Sequence, residues 1–299
     1  MSSLIVFVLL AASPLGPGDH GRSLKVDGRE RSYLVHVPPR YDPKRPTPVV
    51  LALHGAGMNA RMMRGFSDLD KKADQAGFVA VYPNGTGLAG LLLAWNAGGL
   101  PPSIAEKRPN DVGFVARLLD DLASVVNVDP KRVYATGMSN GAMMCYRLAA
   151  ELSDRIAAIA PVGGTMAVDS YRPKRHVPVI HFHGTCDPYV PYDGLDKNKS
   201  RFVVFQSVEE TIGACVRANG CAPAPAALDL PDKAHDGTKV HEKTYGACTG
   251  GADVVLVTIE GAGHTWPGEP APEWLLGKAT KNVSANDRIW EFFQKHPIP

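Results

Sequence analysis

Short runs of β-branched and apolar residues recur along this chain, and stretches with helical spacing separate them. The runs are Val49 to Leu53, Phe78 to Tyr82, Arg132 to Thr136, Ile156 to Pro161, Val179 to His183 and Val254 to Ile259. Such short, continuous runs are what strands buried on both faces look like. Between them, Asp111 can cap a helix reaching about Asn127, in which Val115, Leu118, Leu119, Leu122, Val125 and Val126 follow i, i+3, i+4 spacing. Gly141 to Leu152 and Asn286 to Gln294 suggest two more helices. Alternation of this kind predicts an α/β fold, a mostly parallel central sheet with helices on both faces. The order fits one domain over residues 20–299, with 88–108 and 222–245 as long loops able to shape a rim.

Residues 1–19 stand apart. Leu4 to Ala12 is an unbroken apolar run followed by Ser13. Nine apolar residues are too few to span a bilayer but suit the core of an export signal. No later stretch approaches the roughly 20 residues of a membrane helix, so no stable membrane anchor is expected. A formal net charge of +2, with no long block of like charge, leaves no reason to invoke nucleic acid. The expected location is outside the cytoplasm, secreted or periplasmic.

Three of the five cysteines lie between 215 and 248, in a segment rich in Gly, Ala and Pro. In an exported chain that pattern suggests a disulfide pinning an irregular segment. No metal-ligand spacing occurs, and His181 and His183 are read as buried, satisfied histidines.

The chemistry is carried by Gly137-Met138-Ser139-Asn140-Gly141, which ends a strand and opens an apolar helix. A G-x-S-x-G in that context is a nucleophile elbow, the turn of the α/β-hydrolase fold that holds a serine hydroxyl clear of the sheet. Serine is a weak nucleophile without a base. In this fold the acid comes next in the chain and the histidine last. His264 follows the Val254 to Ile259 run in Gly261-Ala262-Gly263-His264, and is preferred to His235 and His241, which sit in polar sequence. Asp187 is the first carboxylate after the Val179 to His183 run, ahead of Asp193 and Asp196. Its task is to orient the imidazole and stabilise the imidazolium. For an oxyanion, the backbone N–H of Asn140 is one donor, and Ala56, in His54-Gly55-Ala56-Gly57, is the first choice for the second, with Gly57 behind it. Trp95 and Trp266 are candidates to stack on a substrate ring, with packing as the alternative.

These motifs together resemble a known family. The elbow, the run Asn110-Asp111-Val112-Gly113-Phe114, the turn His183-Gly184-Thr185-Cys186-Asp187 and Gly263-His264-Thr265-Trp266-Pro267-Gly268 follow one another as in secreted polyhydroxybutyrate-depolymerase-like and feruloyl-esterase-like hydrolases. The resemblance spans roughly residues 25 to 295. It implies hydrolysis of feruloyl, acetyl or hydroxyacyl esters through an acyl-enzyme, with Ser139, Asp187 and His264 in the roles above and no cofactor or metal. The implied substrate is a small or polymeric ester. It also implies a disulfide between Cys221 and Cys248. Cys186 and Cys215 depart from the family's pattern, and whether they pair is left open. A non-catalytic binding relative and a serine peptidase on the same fold are the competing readings.

Overall fold

The computed structural model describes residues 13–88, 91–99, 109–195 and 204–299. Most of the expected export signal, and Asp196, therefore lie outside the described residues.

Five strands form the parallel heart of the sheet: β3 (Thr47–Leu53), β4 (Val79–Pro83), β7 (Val128–Met138), β8 (Ile159–Val162) and β9 (Val179–Gly184). A sixth, β12 (Val254–Glu260), runs parallel to β9. Hairpins extend both edges. On one side stand β1 (Gly18–Val26) and β2 (Arg29–Val37), and on the other β10 (Ala226–Asp229) and β11 (Lys239–Tyr245). The ten strands take the order β1-β2-β4-β3-β7-β8-β9-β12-β11-β10, antiparallel only outside the β4 to β12 span. A two-stranded ribbon, β5 (Thr86–Leu88) and β6 (Leu91–Ala94), stands apart.

Seven helices accompany the sheet among the described residues: α1 (Ala60–Ser67), α2 (Leu69–Ala76), α3 (Asp111–Ala123), α4 (Asn140–Glu151), α5 (Val208–Ala218), α6 (Glu273–Leu276) and α7 (Ala285–Lys295). The period-two geometry of β3 divides its residues between two cores. Val49, Leu51 and Leu53 join Leu118, Met144 and Ile212 on one face. Val50 and Ala52 join Met63, Ala73, Ile289 and Phe293 on the other.

Three expectations need correction. Residues 15–19 belong to the folded domain: Leu15 N donates to Val125 O, and Gly18 and Asp19 pair with Val37 and His36 in β1–β2. An export signal ending at residue 19 would cut into β1. Asn110, not Asp111, caps α3, its side chain accepting from Gly113 N. Asp111 is instead buried against Arg31 at 2.7 Å and accepts Asn96 N. Finally, the expected 222–245 loop contains β10 and β11.

Candidate active site

The sequence-predicted catalytic and oxyanion residues lie at the C-terminal ends of β3, β7, β9 and β12. Ser139 follows β7 with φ 57° and ψ −119°, a conformation a side chain adopts only under strain of about 1–3 kcal/mol. Its N–H donates to Val162 O, 2.9 Å away at the end of β8. The tightness of the turn explains the flanking glycines. A methyl on Gly141 would lie 2.2 Å from Leu53 O, and one on Gly137 would lie 2.7 Å from Gly141 C. The helix that opens at Asn140 directs its unpaired amides toward the serine, where negative charge is favoured.

Asp187 and His264 meet from loops 77 residues apart. His264 Nδ1 lies 2.6 Å from Asp187 Oδ2, and both side chains are buried. The other carboxylate oxygen accepts the backbone N–H groups of Tyr189 at 2.9 Å and Val190 at 2.8 Å. With Nδ1–H donated to the carboxylate, Nε2 is left as the proton acceptor. The His264 N–H donates to Leu276 O at 2.6 Å, tying the histidine loop to α6. Gly163 and Gly164, just after β8, lie between this pair and the serine. A methyl on Gly163 would sit 3.3 Å from His264 Nδ1, and one on Gly164 would sit 2.2 Å from Ser139 O.

The amide donors are similarly constrained. Gly57 N is occupied by Leu93 O at 2.8 Å, which removes the second-choice oxyanion donor. Among the described residues the N–H groups of Asn140 and Ala56 have no acceptor. The Ala56 turn rests on His54, a residue that sequence reasoning passed over. His54 Nε2 accepts Gly85 N, so its Nδ1–H donates to Gly55 O at 2.8 Å. Burial holds this imidazole below its usual pKa, partly offset by the bond to Gly55.

Trp95 and Trp266 do not face a substrate. Trp266 is fully buried and donates Nε1–H to Asn286 Oδ1 at 3.0 Å. Trp95 is also buried. Its ring N–H donates to His54 O at 2.9 Å, while its backbone N–H bonds to Asn140 Oδ1 at 2.7 Å. Trp95 thereby joins the turn holding Ala56 to the first residue of α4. Both indoles are framework, because each finds a buried acceptor for its N–H.

Behind the acid runs a buried chain of rings. Tyr146 Oη lies 2.7 Å from His181 Nδ1, His181 Nε2 lies 3.0 Å from His183 Nδ1, and His183 Nε2 lies 2.8 Å from Val190 O. A carbonyl can only accept, so His183 donates from Nε2; with both rings neutral, His181 donates to His183 and Tyr146 to His181. Burial lowers both pKa values, that of His181 furthest, and so favours neutral rings; the neighbouring His183 lowers that of His181 further, while the bond to Val190 and the charge of Asp187 partly offset the shift of His183.

The alternatives sit elsewhere. His241 bonds to Asp229 and Glu260 on the edge strands, and His235 is exposed near Asp232. Cys221 and Cys248 form a disulfide, whereas Cys145 and Cys215 are buried free thiols and Cys186 is an exposed one. Cys186 and Cys215 are thus not bridged. Asp19, His36 and Asp70 could in principle hold a metal ion, since their ligand atoms lie within 4.8 Å of one another. The Arg64 guanidinium already pairs with Asp19 and with Asp70, so a cationic group fills that position.

A mostly parallel sheet with a strained serine between β7 and α4, and a histidine–aspartate pair at the same edge, defines an α/β-hydrolase. The chain belongs to the Phospholipase/Carboxylesterase family, whose profile matches residues 41–212. It is a serine carboxylic ester hydrolase. NocK of Nocardia uniformis subsp. tsuyamanensis, which bears the name of an esterase, is 33% identical over 91% of this chain and 81% of its own length. The bifunctional acetylxylan esterase/xylanase XynS20E of Neocallimastix patriciarum is 27% identical over 80% of this chain. Only 31% of that longer protein is matched. Among solved structures, an acetyl xylan esterase from Aspergillus awamori superposes with a TM-score of 0.63 at 17% identity, covering 92% of this chain and 99% of its own, a likeness of fold.

Proposed function

We propose that Ser139, His264 and Asp187 form the catalytic triad of an exported esterase acting on esters of plant-wall carbohydrate, with an acetyl or feruloyl acyl group. The observation that carries the triad is the 2.6 Å contact between His264 Nδ1 and Asp187 Oδ2, beside a serine held at positive φ. The carbohydrate reading rests on the acetylxylan-esterase relative, and export on the apolar N-terminal run together with the disulfide.

The proposed triad implies the following reaction. Ser139 Oγ attacks the ester carbonyl carbon while His264 Nε2 takes the hydroxyl proton. The carbonyl oxygen becomes an oxyanion and accepts the N–H groups of Asn140 and Ala56. Collapse breaks the bond to the alcohol oxygen, and His264 returns the proton to that oxygen. Water then attacks the acyl-serine by the same steps in reverse, releasing the acid. Asp187 holds the imidazole in one tautomer throughout.

The test is Ser139→Ala measured on feruloyl, acetyl, hydroxybutyrate and amide substrates, with fluorophosphonate labelling. Loss of a triad member in such enzymes costs roughly 10⁴- to 10⁶-fold in kcat. Labelling should vanish while the far-UV spectrum stays native. Turnover above about a tenth of wild type would remove Ser139 from the mechanism, since it falls far short of that loss.

A further inference from the structure

We propose that Tyr189, Trp274 and Leu275 form the subsite for the alcohol half of the ester, and that this subsite takes a sugar ring. The inference rests on the triad proposed above. In that mechanism His264 Nε2 hands its proton to the departing alcohol, so whatever packs around the His264 ring borders the leaving group. Tyr189 does so: its ring centroid lies 5.2 Å from that of His264, tilted by 50°. It follows Asp187 by two residues, and its backbone N–H bonds to that carboxylate.

The platform continues onto α6. Tyr189 Oη donates to Leu275 O at 3.1 Å, and Leu276 O accepts the His264 N–H at 2.6 Å. Ring, helix and histidine are therefore one connected unit. Unlike the two buried indoles, its apolar groups face solvent. Trp274 is 86% exposed, Tyr189 49% and Leu275 44%. Tryptophan is buried on average, so an indole left in water on the short helix whose Leu276 carbonyl holds the His264 N–H calls for a ligand. The surface is small and bounded along the chain by exposed Glu273 and Lys278. A long alkyl alcohol would run from it onto those charges. A pyranose suits it better, with C–H faces for the rings and hydroxyl edges for water and the charged rim.

The experiment compares esters that share an acyl group: ethyl acetate against acetylated xylotriose, and ethyl ferulate against feruloylated arabinoxylotriose. In Trp274→Ala, kcat/KM on the oligosaccharide ester should fall about three- to tenfold more than on its ethyl counterpart. The difference should lie in KM, as expected for binding made equally in ground and transition states. At its exposure the Trp274 side chain contributes little to folding, so the variant can be read directly. Equal losses on both members of each pair, or no loss on either, would overturn the subsite. Retained turnover in Ser139→Ala would instead overturn the triad, so the two failures are distinguishable.

Discussion

At the scale of single residues, the site depends on backbone held in uncommon shapes and on rings whose polar ends are already engaged. Trp266 illustrates the second point. It lies two residues after His264, yet its indole is fully enclosed and bonded to Asn286. Trp266→Ala should therefore act on stability. Truncating a buried tryptophan costs about 3–5 kcal/mol, and the Asn286 acceptor would be left unpaired. Thermal or urea melts should show that loss, whereas KM for any ester that still binds a folded fraction should hardly move. A large KM increase with an unchanged melt would return Trp266 to the substrate.

The pairing of Asp187 with His264 and the tight turn at Ser139 were legible from the chain because each residue ends a strand-like run in a distinctive turn, and the structure shows both. Burial of Trp95 and Trp266 was not legible, because whether an aromatic beside a motif faces water is decided by distant partners such as Asn286 and His54. Tyr189 and Trp274 escaped notice for the same reason: neither stands in a motif.

At the scale of elements, the parallel strands were readable because burial on both faces leaves continuous apolar runs. The edge strands were not. β1 reads Gly-Asp-His-Gly-Arg-Ser-Leu-Lys-Val and β10 is exposed throughout, so neither resembles a buried run. The disulfide belongs to this scale. Cys221 follows α5, and Cys248 closes the segment bearing β10 and β11 with a separation of 27 residues. In the chain-entropy picture a loop of this size stabilises by about 3–4 kcal/mol. Cys221→Ala/Cys248→Ala should lower the melting free energy by roughly that amount. The β11–β12 pairing also steadies the strand before His264, so activity at elevated temperature should fall with stability. Non-reducing peptide mapping of the wild type should recover a 221–248 crosslink and leave 145, 186 and 215 as thiols.

Across the whole molecule, acid is the condition to which the fold is most exposed. His54, His181 and His183 are buried, and burial lowers the pKa of each in the folded state. Released by unfolding, a histidine takes up a proton at about pH 6.5. Below that pH the unfolded chain binds more protons than the folded one, so stability must fall as pH drops toward the folded values. His36 works in the opposite direction. Burial opposes its protonation, but bonds to Asp19 and Asp74 outweigh it and raise its pKa. Its contribution is full below about pH 6.5 and is lost as pH rises through the raised value. Melting temperature should thus decline from pH 6.5 to 5, and His36→Asn should lower the whole of that range by a near-constant amount while removing the loss of stability that sets in above about pH 6.5. A flat profile would mean that the three buried imidazoles take up protons without loss of structure.

The order of the central strands has a further consequence for how such an enzyme changes over time. Neighbouring strands are spaced about 4.8 Å apart whatever the length of chain that joins them. The Ala56 turn follows β3, Ser139 the adjacent β7, the Asp187 turn β9 and the His264 turn β12, all at the C-terminal ends of these strands. The sheet therefore acts as a ruler that keeps these four turns in register while the connections at that end lengthen, shorten or exchange residues. A lineage built on it can rewrite a short connection, such as the one bearing the four-residue helix α6, while the turns that follow the strands keep their spacing.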